Sequence, residues 1–159
     1  MSAAEDRVRF ARELRMSVGG MFLTVVLYSA IVVWLWKVAP VPMNRTLEML
    51  EGIFLVVANA LLLGGFIYWR RLPFKKMKEL PARKFGKAER EPGPTPRALA
   101  LRKHTFIVAA MLEGPAVLGL VLHAMGAPTS HSLTYIGASA LGVIWLWLAI
   151  PRKAQEVLA

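Results

Sequence analysis

Glu113 stands in the middle of VAAMLEGPAVLGLV (108–121), an apolar run interrupted only by that carboxylate and by Pro115. A carboxyl group in such surroundings serves either as a proton- or cation-binding group or as a hydrogen-bonding partner for another helix, since hydrocarbon offers it no partner of its own. On a helix its face is shared by Ala109, Ala110, Ala116 and Val117, three and four residues away. Small residues there permit a second helix to approach closely, so the side chain is expected to face protein rather than lipid. Pro115 has no N–H to give the Met111 carbonyl and kinks the helix, and Gly114 eases the bend. Tyr28, Ser29, Asn59 and Ser139 lie at similar depth in other apolar stretches and are the expected companions of Glu113. Asn59 both donates and accepts, which suits a carboxyl group in either protonation state.

Four stretches must hold these residues in place: 17–39, 48–69, 104–125 and 133–150. Each approaches or exceeds the roughly 20 residues that cross a hydrocarbon core at helical rise. With 159 residues, 56% of them hydrophobic, the chain is expected to form one all-α integral membrane domain, a four-helix transmembrane bundle. The first stretch is too long and lacks the small-residue site of a cleaved signal peptide, so it is expected to be retained. A mid-span carboxylate costs about 3 kcal/mol on insertion, and the Leu, Ile, Val and Phe residues around Glu113 return roughly 0.3 to 0.6 kcal/mol each, so the third span inserts with its glutamate. Leu14-Arg15 precedes Ala39-Pro40 by nearly the distance at which Leu101-Arg102 precedes Ala127-Pro128. Such spacing is what two tandem helical hairpins, duplicated in parallel, would leave.

The net charge of +10 is carried beside the apolar stretches, which points to anionic lipid and membrane topology and away from nucleic acid. All but Lys37 and Arg45 of the 20 basic residues fall before the first span, between Arg70 and Lys103, or after the last span. That asymmetry predicts an inner-membrane protein with both termini and the basic loop 70–103 in the cytoplasm. Arg70, Arg71, Lys75, Lys76 and Lys78 are the expected lipid-headgroup contacts, the lysines in FKKMKEL, a stretch patterned as a short helix on the bilayer surface. The loop breaks at EREPGPTP, after which Thr95 and Pro96 are a plausible cap and first position of the third helix. The five tryptophans, Trp34, Trp36, Trp69, Trp145 and Trp147, sit near span ends, as interfacial anchors do.

There are no cysteines, so disulfides and thiolate chemistry are excluded. His104 and His123 are about 28 Å apart along one helix, too far to share an iron. His123, His131, Glu48 and Glu51 could meet at the outer end as nitrogen and oxygen ligands, though without close ligand spacing; the plainer expectation is no metal, with Glu48 and Glu51 in the first turn of the second helix, where its dipole favours anions. No phosphate-binding glycine motif, nucleophile elbow or catalytic carboxylate pair is present, so neither enzyme activity nor a cofactor is expected.

The segment ALRKHTFIVAAMLEGPAVLGLVL (100–122) resembles the third helix of a group of small uncharacterised bacterial four-helix membrane proteins, with a basic start and a Leu-Glu-Gly-Pro centre. That likeness implies the fold and brings no activity. Around Glu113 the segment is also similar to the carboxylate helix of rotary ATPase proteolipids, which implies an ion-binding role for Glu113; the first span has only Gly19 and Gly20 and lacks the repeated glycine ridge of a proteolipid ring. The expected function is therefore a small non-catalytic inner-membrane protein, a subunit or accessory factor built around a midplane polar cluster at Glu113. The alternative is a proton- or cation-coupled transporter or channel using that carboxylate. Association with other membrane proteins or with further copies is expected through the small-residue face Gly137, Ala138 and Gly142.

Overall fold

The computed structural model describes residues 3–38, 45–71 and 96–158. They form four helices: α1 (Ala3–Val38), α2 (Arg45–Arg71), α3 (Pro96–Ala124) and α4 (Thr129–Leu158). All four are long and apolar enough to cross a membrane. The helices overrun the apolar stretches. α1 takes in the basic segment ahead of Ser17, and α3 starts at Pro96, where proline's missing N–H costs nothing. α4 continues through Pro151 to Leu158 instead of stopping at Ile150.

Packing follows a seven-residue step. Ala11, Val18, Val25 and Val32 in α1 are buried, as are Leu101, Val108, Pro115 and Leu122 in α3, and Ile136, Val143, Ile150 and Val157 in α4. Because seven residues fall just short of two helical turns, a seam kept to this step favours helices that run nearly parallel or antiparallel and interdigitate over their length. α3 and α4 share the largest interface, α1 packs on both, and α2 lies chiefly on α3. α1 and α2 flank α3 without substantial contact with each other, so the first two helices do not pack as the hairpin that a tandem duplication implies. The reason lies in the surfaces: the buried stripe of α1 is taken up by α3 and α4, and among its described side chains α2 offers only Ala58, Gly65 and Trp69 as buried positions.

The α3–α4 connection is built by its backbone. Gly126 has φ 99°, a left-handed conformation that glycine adopts without a Cβ penalty. Its N–H bonds the His123 carbonyl at 3.0 Å, and the Ala127 N–H bonds the Leu122 carbonyl at 2.9 Å. This pair satisfies two carbonyls that the end of α3 would otherwise leave open, and reverses the chain into α4.

A polar latch at the centre of the third helix

The segment 112–115 of α3 meets all three other helices. Towards α1, Glu113 Oε1 accepts hydrogen bonds from the Thr24 hydroxyl at 2.6 Å and the Tyr28 hydroxyl at 3.4 Å. Towards α2, Gly114 lies under Leu61, whose Cδ1 would be 2.6 Å from an added Cβ. Towards α4, the buried Ser139 hydroxyl donates to the Leu112 carbonyl at 2.6 Å. Pro115 is itself fully buried. α3 remains helical through it, although the Met111 carbonyl loses its usual N–H partner.

Of the expected companions, only Tyr28 reaches the carboxyl group. Thr24 reaches it too, and sequence reasoning passed it over. The available signal was its position one turn before Tyr28, which puts both hydroxyls on one face of α1. Ser29 is rotated off that face and bonds the Val25 carbonyl of its own helix at 3.2 Å. Ser139 of α4 reaches the same segment, but at the Leu112 backbone carbonyl and not at the carboxyl group. Asn59 is a correction. Its amide donates to the Leu55 carbonyl at 2.8 Å, and its side chain lies exposed on the outer face of α2.

The environment of Glu113 is split. Ala109 and Ala116 are fully buried, whereas Ala110 and Val117 are exposed, leaving the carboxylate half-buried at the edge of the α1–α3 interface. It therefore faces protein on one side only. Thr24 Oγ1 lies 2.6 Å from two acceptors, Glu113 Oε1 and the Met21 carbonyl, and has a single proton. When the carboxylate is ionised, Thr24 and Tyr28 donate to it. When it carries a proton, it donates to Thr24, and Thr24 donates to Met21. The latch thus accommodates both forms with the same heavy-atom positions.

The expected outer cluster is only partly assembled. His131 Nδ1 and Glu51 Oε1 pair at 2.5 Å, and Tyr135 donates to the Glu51 backbone carbonyl at 3.2 Å, tying α2 to α4. His123 is buried on α3 and does not join them, and the Glu48 side chain is outside the described residues. Among the described residues no group of three histidine or acidic side chains is placed to hold a metal ion. At the other end, Tyr68 Oη and His104 Nδ1 lie 2.5 Å apart, a second α2–α3 contact unforeseen in the sequence.

The chain matches no family model, no curated protein and no solved structure. Arg70 and Arg71 are exposed at the end of α2, with Arg70 poised over the Phe66 ring at 5.7 Å, while Lys75, Lys76 and Lys78 lie outside the described residues. The association face is also revised. Gly142 is packed inside, where an added Cβ would be 3.1 Å from Leu112 and 3.4 Å from Leu62, so only Gly137 of the two glycines opens outward.

Proposed function

We propose that the chain is a non-catalytic multi-pass protein of the inner membrane, with cytoplasmic termini, that serves as a subunit or accessory factor of a larger membrane assembly. The carrying observation is Asn59. It sits in the middle of α2, the helix with least of its apolar stretch covered, and points outward. Its one hydrogen bond among the described residues uses a single amide proton, so the other amide proton and the carbonyl oxygen face outward unsatisfied. Hydrocarbon cannot satisfy them, and a helix of another subunit can. Val56 and Leu63 flank Asn59 on the same exposed face and supply the packing surface.

The test compares the assembly state of the parent and Asn59→Leu in mild detergent by native mass measurement across protein-to-detergent ratios. Intramembrane side-chain bonds are worth about 0.6 to 1.7 kcal/mol, so association of the variant should weaken by roughly 3- to 20-fold. A parent that contains no second chain at any ratio, or a variant that assembles equally well, would refute this role for α2.

Orientation is checked separately by single cysteines at Ser2, Lys87, Thr129 and Ala159. The basic asymmetry predicts that an impermeant thiol reagent added to intact cells reaches position 129 alone. Labelling at 87 would reverse the topology.

A second reading, proton- or cation-coupled transport through Glu113, is favoured by two observations: the carboxylate is only half-buried, and its partners suit both protonation states.

A further inference from the structure

A cavity of about 710 Å³ opens between the N-terminal part of α1 and the C-terminal part of α4, and Arg12, Arg15, Trp147 and Gln155 are its polar or aromatic lining. We infer that it binds the headgroup and upper acyl region of an anionic phospholipid. This inference rests on the membrane placement proposed above.

Charge is the first argument. Glu13 is engaged by Arg9 at 3.3 Å and Glu156 by Lys153 at 2.8 Å, so neither acid is spent on the cavity. Arg12 and Arg15 have no ion-pair partner among the described side chains. Arg15 Nε is buried and has no hydrogen-bond acceptor among the described residues. A buried guanidinium N–H without an acceptor is costly, and an anionic oxygen is its natural complement.

Geometry is the second. The Arg15 guanidinium lies 3.5 Å over the Trp147 ring. Contact with the ring restrains the guanidinium, whose planar fork of N–H donors suits two-point contact with a phosphodiester. The rest of the wall is mainly apolar: Val8, Met16 and Pro151 line it, and Gly19 leaves open space, with no atom within 4 Å of an added Cβ. A free phosphate would fill little of this volume and would leave the apolar wall uncovered. A phospholipid matches both parts.

Position is the third. Arg15 lies just before the apolar part of α1, and Trp147 lies near the end of the apolar part of α4, so the cavity falls at headgroup level on the basic side of the molecule.

The experiment adds phosphatidylglycerol, phosphatidylcholine or sn-glycerol 3-phosphate to the full chain in mild detergent, and counts bound molecules by native mass spectrometry. One phosphatidylglycerol should be retained at a concentration at least tenfold below that needed for phosphatidylcholine. Arg15→Gln should remove this preference, Arg15→Lys should keep part of it, and Gly19→Leu should expel the lipid by filling the cavity with both arginines intact. Unfolding temperatures of lipid-free variants identify any that fail to fold, and Arg12→Gln then stands in for a lost Arg15 variant. The inference is overturned by equal binding of the two lipids, by Gly19→Leu retaining phosphatidylglycerol at parent affinity, or by sn-glycerol 3-phosphate displacing the lipid at equal concentration. Alkaline extraction of cell membranes is the separate control: a chain released into the soluble fraction defeats the membrane placement itself, whereas a chain that stays in the membrane but shows no lipid preference defeats only this site.

Discussion

Gly119→Val should destabilise the α3–α4 pair more than the same replacement at any other described helical glycine, by about 3 kcal/mol or more, and Gly119→Ala by roughly 1 to 3 kcal/mol. An added Cβ at Gly119 would lie 2.7 Å from the Ser132 backbone carbonyl oxygen and 2.9 Å from Tyr135 Cβ. Neither atom can turn aside, because one is main chain and the other is fixed to it. The short connection through Gly126 ties the same two helices together a turn or two away, so they cannot easily separate at Gly119 to make room. Two controls isolate the cause. At Gly114 the close atom is the end of the Leu61 side chain, which can rotate, so Gly114→Ala should cost less despite a nominal distance of 2.6 Å. At Gly137 nothing lies within 4 Å, and Gly137→Ala should be neutral or should stabilise α4 by up to about 1 kcal/mol through helix propensity. Unfolding by sodium dodecyl sulfate in mixed micelles measures all four. Gly119→Ala and Gly137→Ala unfolding at the same detergent fraction would show that the two helices do not approach as closely as described.

Gly119 also marks where the sequence was legible and where it was not. The number of helices and their apolar centres follow from runs of Leu, Val, Ile and Phe, since apolar content over about 20 residues is a property of the chain itself. The α3 start at Pro96 was equally local, because proline's missing N–H is a property of one residue. The choice of neighbours was different in kind. The seven-residue rows Ala11–Val18–Val25–Val32 and Ile136–Val143–Ile150–Val157 were present in the sequence, but within an apolar span nearly every position can pack, so hydrophobicity alone does not separate the seam from the lipid face. Asn59 and Thr24 show the same difficulty for polar residues. Both lie near the middle of their spans, and only the rotation of each helix about its axis turns Thr24 to Glu113 and Asn59 outward. Rotation is set by the helix's partners, which the residues of α2 alone do not specify.

The latch itself yields the decisive functional comparison, between Glu113→Gln and Glu113→Ala. Glutamine keeps the length and can place its amide oxygen where Glu113 Oε1 stands, accepting from both Thr24 and Tyr28, but it cannot release a proton. As a structural partner of α1, Glu113 should therefore be replaceable by Gln with stability within about 0.5 kcal/mol, while Ala loses the Thr24 and Tyr28 bonds and about 1 kcal/mol with them. Thr24→Val should resemble Glu113→Ala in this case, since it deletes the same 2.6 Å contact from the other side. As a proton- or cation-binding group, Glu113 should tolerate neither change in function, and Gln should fold normally while transport is abolished. Purified protein in liposomes under a proton or sodium gradient distinguishes the two. Flux through the parent that varies with pH and disappears in Glu113→Gln would exclude a purely structural latch. Absence of flux under either gradient, with parent and Gln variant equally stable and Ala weaker, would exclude transport by the reconstituted chain. Glu113 would then be a hydrogen-bonded tie holding α1 on α3, leaving the outer face of α2 to carry the contacts of the assembly.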